Sequence, residues 1–483
     1  MTSTIVSIAI LLVHAVAISK LLLTERRQPT ATLAWLFALI FLPVIGVLIY
    51  YVLGTTRFRR VRKKSGRAME RLASVLDRHK VQRKLEGSGI ASLDDRTLDL
   101  LRLGRNLSST PASWDNDVRI LVDGPATYLT IKSAMEAAKD HIHVEFYIIQ
   151  PDQTGEALRD ILVERARSGV EVRLLCDAVG SSRLPSDFWD PLVEAGGKAH
   201  TFLPVWKLLT RFRRHTRVDF RNHRKIVVVD GRVGYTGGIN VGKEYLGLDP
   251  EMGRWRDMHI EIQGPAVLSL QKAFAQDWLQ ATDEVIDDER YFPEPVGKRT
   301  DPSIVQIVDS GPDRPWSPIL YVYTHAIALA RERVWITSPY FIPGPTLEDA
   351  LITAAIRGID VRLLLPVWSD SWIVTLASRT YFRRMLEAGI RIFQYERGML
   401  HAKTMLVDHW VGTIGSANMD LRSFHLNFEL NAFVYGKRLV EELSEQFQVD
   451  LENAREVDTE ELERRGIVHR AISATARLLS PLL

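Results

Sequence analysis

Residues 222–240 read NHRKIVVVDGRVGYTGGIN, and residues 400–418 read LHAKTMLVDHWVGTIGSAN. Both contain His-x-Lys-x(4)-Asp followed by a small-residue turn and an asparagine. The first copy carries His223, Lys225, Asp230, Gly237, Gly238 and Asn240; the second carries His401, Lys403, Asp408, Gly415, Ser416 and Asn418. These blocks are offset by 178 residues, whereas the upstream pair ARSGVEVRLL (166–175) and AIRGIDVRLL (355–364) is offset by 189. The first copy therefore holds 11 more residues between its shared blocks. In each upstream block a helix end, a glycine and an apolar strand follow one another. Before each lies a strand ending in aromatics, HIHVEFYII at 141–149 and RVWITSPYFI at 333–342. Strand-like runs alternating with helical segments predict α/β layers. The fold expected is two homologous α/β lobes, 111–295 and 296–450, each a mixed sheet flanked by helices, with one site where the copies meet.

The repeated residues suit phosphate chemistry. Along a strand, positions i and i+2 share a face, so each His and its Lys project to the same side. The apolar runs IVVV and TMLV behind them predict a buried, rigid floor. Lysine neutralises anionic oxygens, Asn240, Asn418, Ser416 and backbone N–H groups can donate to them, and imidazole serves as nucleophile or proton carrier near neutral pH. A histidine in either role needs a partner on its other nitrogen. Each copy offers a carboxylate downstream, Asp257 at 34 residues and Glu429 at 28. Asp230 and Asp408 have two readings: a direct catalytic role, or a cap on the turn that ends the buried strand.

Outward from the repeats, the chain has 483 residues, 46% of them hydrophobic and 25% charged, with 21 prolines. This excludes a disordered or collagen-like protein. One cysteine, Cys176, excludes a disulfide framework and a multi-thiolate zinc site. The net charge of +3 conceals an asymmetry: residues 57–84 carry twelve Lys or Arg against Glu70 and Asp77, so the remainder is net acidic. That cluster follows two uncharged runs. Expected membrane helices at about 2–22 and 32–54 within 1–56 form a hairpin, because crossing a ~30 Å hydrocarbon core takes about 20 apolar residues. A cleaved signal peptide is the competing reading of the first run, but no Lys or Arg precedes it and a second run follows at once. The basic linker, 57–110, predicts a membrane protein whose lobes face the cytoplasm, and it can also attract anionic head groups.

The paired HxKxxxxD blocks resemble the phospholipase D superfamily. The likeness extends to bacterial cardiolipin synthases through GSANMDLRSFHLNFE (415–429), RQPTATLAW (27–35) and the terminal ARLLSPLL (476–483). The resemblance implies that two phosphatidylglycerol molecules become cardiolipin and glycerol, with no cofactor and no metal. It also implies a phosphatidyl-histidine on His223, with His401 as acid and base. Two departures stand out: Gly238 replaces the serine found as Ser416 in the second copy, and Asp257 differs from Glu429 in length and spacing.

Other features carry weaker expectations. His141, His143 and Glu145 alternate on one strand and could ligate a metal, although a hydrogen-bonded core is the commoner use of such residues. The segment 202–217, FLPVWKLLTRFRRHTR, mixes aromatic and basic residues as a headgroup interface does, or as an amphipathic surface loop does. The tail, 451–483, ends in an amphipathic stretch suited to membrane contact or to lobe packing. A hydrolase or a transferase to another alcohol would use the same motifs. A nuclease would need a basic groove, which the acidic lobes lack, so nucleic acid is not an expected partner. A non-catalytic scaffold would not need two complete His/Lys pairs. The expected partners are phosphatidylglycerol, other anionic phospholipids and the membrane, and a homodimer is left open.

Overall fold

The computed structural model describes residues 2–24, 29–50, 70, 73–74, 93–108, 110–203, 219–248, 253–295, 302–460 and 467–478. The described chain falls into two compact units, an N-terminal group of helices and a large sheet-containing body. In the first, α1 (Thr2–Thr24), α2 (Pro29–Phe41) and α3 (Pro43–Ile49) pack through Ala17, Leu21, Leu39 and Tyr50, with Trp35 edge-on to Tyr50. Among the described residues no helix is long and apolar enough to cross a membrane. The second expected span is divided at Leu42 (φ −123°, ψ 66°), because Pro43 cannot supply an N–H and biases the residue before it away from helix. Nearly all of the basic run 57–84 and the segment 204–218 lie outside the described residues.

The large unit is built on one sheet. Its first half contributes β1 (Ser113–Val122), β2 (His141–Phe146), β3 (Glu171–Asp177), β4 (Lys198–Phe202), β5 (Arg221–Asn222), β6 (Ile226–Val229), β7 (Val233–Gly237), β8 (Trp255–Arg256) and β9 (Met258–Gln263). The second half contributes β10 (Ser303–Ser310), β11 (Arg333–Thr337), β12 (Phe341–Ile342), β13 (Asp360–Pro366), β14 (Arg391–Tyr395), β15 (Met399–Leu400), β16 (Thr404–Val407), β17 (Val411–Gly415), β18 (Met419–Asp420), β19 (Asn427–Tyr435) and β20 (Ala454–Glu456). The sheet order is β20-β14-β13-β11-β16-β17-β19-β10-β1-β9-β7-β6-β2-β3-β4. Outward from the β10–β1 junction, the two halves follow the same series of equivalent strands. Each half pairs its outer strands in parallel (β2 with β3, β3 with β4; β11 with β13, β13 with β14) and its inner strands antiparallel.

Burial follows this symmetry. One core runs across both halves beneath helices Ala266–Thr282 and Lys437–Leu451, joining Trp278, Phe274, Ile260 and Val228 to Leu430, Ala432, Leu443 and Phe447. On the other face each half has its own core. A separate lobe would leave its side of the shared core in water, at about 25 cal/mol for each Å² of apolar surface exposed. The C-terminal helix Ile467–Leu478 packs on helix Trp372–Glu387, with Ala476 and Ser473 buried and Arg477 over the Tyr381 ring at 4.7 Å. Of the two readings of the tail, this stretch of it takes the lobe-packing one.

Candidate active site

His223 and Lys225 lie between β5 and β6, and His401 and Lys403 between β15 and β16. Each preceding short strand pairs with the opposite repeat: β5 runs beside β19 (Asn427 opposite Arg221), and β15 beside β8 (Leu400 opposite Arg256). The His223 N–H then donates to Phe428 O at 2.9 Å, and the His401 N–H to Arg256 O at 2.7 Å. The acceptors are the residues immediately before Glu429 and Asp257, so both carboxylates meet a histidine from the other copy. His223 Nδ1 is 3.0 Å from Glu429 Oε2, and His401 Nδ1 is 2.7 Å from Asp257 Oδ2. The downstream carboxylate therefore does not serve the histidine of its own repeat. Neither repeat contains a complete pair.

The lysines fold back on the same loops. Lys225 Nζ donates to His223 O at 2.6 Å; Lys403 Nζ donates to His401 O and lies 3.1 Å from His401 Nε2. Both lysines are fully buried, and the histidines are only 8% and 6% exposed. Burial lowers His223 to about 4, with Lys225 and Lys403 adding to the effect and Glu429 opposing it. Burial, Lys403 and Lys225 likewise hold His401 well below its usual value. Burial brings Lys225 down to about 7 and Lys403 to about 8. Burial also lifts Asp257 to about 6 against the charge of Lys403. Glu429 differs: burial pushes it up, but His223, Lys225 and the Ser416 hydroxyl hold it below the normal range. Each lysine acts on the histidine of the other repeat, as one shared site requires. At neutral pH both imidazoles are uncharged. An Nδ1–H directed at a carboxylate leaves the lone pair on Nε2.

The two halves of the site are not equivalent. Ser416 donates to Glu429 and accepts from Leu430 N at 3.0 Å. A Cβ at the matching Gly238 would lie 2.2 Å from Asp257 Oδ1, so the shorter carboxylate and the glycine occur together. Asn240 is occupied: it accepts from Ile148 N and donates to Tyr245 OH, which lies 3.4 Å from His401 Nδ1. The N–H of Asn418 donates to Ser423 Oγ, while its buried Oδ1 has no hydrogen-bond partner among the described residues.

Asp230 and Asp408 are not brought to the histidines. Each follows the far end of its strand with a positive φ (53° and 49°). Asp230 accepts the N–H groups of Lys139, Asp140 and His141; Asp408 accepts those of Arg331, Glu332 and Arg333, together with Arg96. These contacts tie each turn to the neighbouring strand, which is the capping reading. His141, His143 and Glu145 belong to a hydrogen-bonded interior: His141 to Asp140, His143 to Gln271 and Arg173, Glu145 to Asn222. Among the described residues no cluster of three or more His, Cys, Asp or Glu is placed to hold a metal ion.

Several residues that line the site carry no motif. Tyr147 packs edge-on to His223 at 4.9 Å, and Trp255 lies 5.1 Å from His401. Tyr340 donates to Asp370, whose charge acts on His401 and Lys403. The aromatic strand ends at 141–149 and 333–342 were a signal for Tyr147 and Tyr340. Nothing local marks Tyr245, Trp255 or Asp370. Arg224, between His223 and Lys225, turns to the other side and joins Asp277, Asp309 and the carbonyl of Glu429.

Comparison with known proteins follows the same lines. Residues 131–278 and 323–451 match the family described as cardiolipin synthase, PLD-like domain, and residues 8–54 match the phospholipase D-nuclease N-terminal family. The chain is 40% identical to a cardiolipin synthase of Halalkalibacterium halodurans over 98% of its length and 92% of that protein. It is 41% identical to one of Alkalihalophilus pseudofirmus over 95% of its length and 90% of that protein. A phosphatidylserine synthase of Haemophilus influenzae superposes with a TM-score of 0.60 at 15% identity, covering 80% of this chain and all of that one, a likeness of fold. With its two matched lobes and near full-length relatives, the chain belongs to the cardiolipin synthase family of phospholipase D-like proteins.

Proposed function

We propose that the protein is a cardiolipin synthase that transfers a phosphatidyl group from one phosphatidylglycerol to another, releasing glycerol. The observation that carries this reading is the pair of buried His–Lys units, each histidine backed by a carboxylate from the other repeat. One neutral imidazole as nucleophile, a second that takes up a proton when the anionic substrate binds, and two lysines suit a phosphodiester that is attacked on one side and protonated on the other.

In the first step Nε2 of His223, the nucleophile by family resemblance, attacks phosphorus. The bond from phosphorus to the glycerol oxygen breaks, and His401 gives that oxygen a proton. In the second step His401 takes the proton from a hydroxyl of another phosphatidylglycerol. That oxygen attacks phosphorus, and the P–N bond to His223 breaks. One phosphodiester replaces another, so the reaction calls for no outside energy source. The lysines carry the charge of the phosphoryl oxygens. The incoming anion in turn favours their protonated forms and that of His401, which burial otherwise disfavours.

The N-terminal helices are read as an inner-membrane hairpin, with the lobes on the cytoplasmic side where the basic run 57–84 belongs. Protease access to the lobes in inverted but not in right-side-out vesicles tests that orientation. One chain holds both His–carboxylate pairs, so the chemistry does not call for a homodimer. The test of function is product analysis of the purified full chain in vesicles of phosphatidylglycerol, with chelator and without nucleotide. Equal amounts of cardiolipin and glycerol are expected. Phosphatidic acid in their place would overturn the transfer reading in favour of hydrolysis.

A further inference from the structure

Among the described residues three tryptophans stand exposed: Trp316 (60%), Trp368 (59%) and Trp372 (64%). Trp316 and Trp368 lie on loops, and Trp372 on the first turn of helix Trp372–Glu387, at the end of the sheet that carries the histidines. Trp368 and Trp372 flank Ser369, Asp370 and Ser371 in the connection that leaves β13. On that connection Asp370 meets Tyr340, and its charge reaches His401 and Lys403. Trp316 lies between β10 and helix Pro318–Ala328. The last residue of β10, Ser310, pairs with Glu429, and Ser317 hydrogen-bonds His425 at 3.0 Å. The corresponding loop of the first repeat, after β3, exposes Val179 beyond Asp177, which accepts the Asn222 N–H beside His223.

The exposed Trp368 ring is held in place. The Arg379 guanidinium stacks on Trp368 at 4.6 Å and donates to Val367 O at 3.1 Å, while Ser369 Oγ is fixed by Ser371 O and Thr375. Placing large indoles in water is unfavourable, and an indole is suited to a boundary where its body is in an apolar phase and its N–H is wet. Trp316 stands on a different connection from Trp368 and Trp372, and two serines and an aspartate separate that pair, unlike the continuous apolar patch that a protein partner covers. A diacyl lipid whose phosphodiester must reach His223 and His401 keeps its acyl chains in the bilayer, which brings the same loops to the headgroup level.

We propose that Trp316, Trp368 and Trp372 form a rim that seats the mouth of the site on a phospholipid bilayer, so that the phosphodiester is taken up while its acyl chains stay in the membrane. This deepens the reading of the substrate as phosphatidylglycerol and rests on it. Loss of the rim then impairs use of bilayer substrate without touching the chemistry.

The test compares the full chain with its W316A/W368A/W372A variant, both retaining the N-terminal helices. Activity is measured on long-chain phosphatidylglycerol diluted in vesicles and on short-chain phosphatidylglycerol dispersed as monomers. The variant is expected to lose about tenfold or more on dilute vesicle substrate, the scale of a few interfacial aromatic contacts, and to stay within about twofold on monomers. The emission that the variant lacks should be quenched, in the unaltered protein, by phospholipids brominated near the headgroup end of their chains. Equal loss on both substrates, or lost emission that brominated lipid does not quench, would overturn the rim. A lower oligomeric mass of the variant would also overturn it, assigning the rings to a contact between copies. If the unaltered chain turned over neither substrate, the substrate reading would fail, and the quenching alone would decide the rim.

Discussion

Glu429 accepts a hydrogen bond from His223 across 206 residues of chain, and the residue before it, Phe428, takes the backbone N–H of the same histidine. Asp257 and Arg256 repeat this arrangement around His401. Each histidine is thus fixed by two contacts with the opposite repeat, one through its backbone and one through its ring. Glu429→Gln and Asp257→Asn keep the size of the side chain but remove the charge that holds Nδ1–H in place. Turnover on phosphatidylglycerol vesicles should fall by about 100-fold to 10,000-fold in each, as for carboxylates that orient catalytic histidines elsewhere. Adding Asp257→Asn to His401→Ala should cost little more than His401→Ala alone. Additive losses would mean that the pair does not act as a unit.

The pH profile follows from the buried charges. The nucleophile must be neutral, and His223 lies at about 4, so kcat/KM should rise with pH on the acid side, with a further contribution from Asp257 near 6. Phosphate binding needs charged lysines. His401, which must carry a proton in the first step and is held well below its usual value, loses it as pH rises, as do Lys225 at about 7 and Lys403 at about 8, so kcat/KM should fall toward alkaline pH. These limbs belong to the coupled group of residues rather than to single ones. A profile of initial rates from pH 4 to 10 checks the sign. A rate that kept climbing to pH 10 would contradict the role given to the lysines.

Gly238 faces Asp257 so closely that a Cβ there would lie 2.2 Å from its carboxylate oxygen. Gly238→Ser should displace Asp257 and reduce turnover about 10-fold to 100-fold, the scale on which loss of a partner that orients a ligand or reactive group is felt. Ser416→Gly removes one hydroxyl from Glu429, which keeps His223 and Asn427 as partners. Its loss should be smaller. Equal losses in the two variants would refute the asymmetry between the half-sites.

Asp230 and Asp408 hold turns by accepting three backbone N–H groups each. Asp408→Asn should destabilise the protein by about 1–3 kcal/mol, the penalty for weakened buried hydrogen bonds. Asparagine accepts the positive φ more readily than most residues. Thermal unfolding should therefore shift down while the turnover of the folded protein stays within about threefold. A large loss of turnover at unchanged stability would restore a direct catalytic role.

The duplication, the α/β class and the two His–Lys pairs could be read directly from the chain, because a repeated spacing of chemically matched residues survives in one dimension. Strand periodicity also placed His223 with Lys225, and His401 with Lys403, beside an apolar floor. Which carboxylate serves which histidine could not be read, since it depends on β5 running beside β19 and β15 beside β8. Local spacing puts Asp257 with His223; strand pairing between the repeats puts it with His401. The same holds for Asp230 and Asp408, whose place in the motif suggests chemistry and whose left-handed backbone at a strand end makes them caps. Tyr245 from a short helical turn after Asn240, Trp255 from β8 and Asp370 from the connection after β13 reach the site without any local pattern to announce them. Sequence alone determined which reagents are present and that they come in two sets. Tertiary structure decided their partners, because one shared core and strands paired across the repeats bring together groups that neither repeat holds by itself.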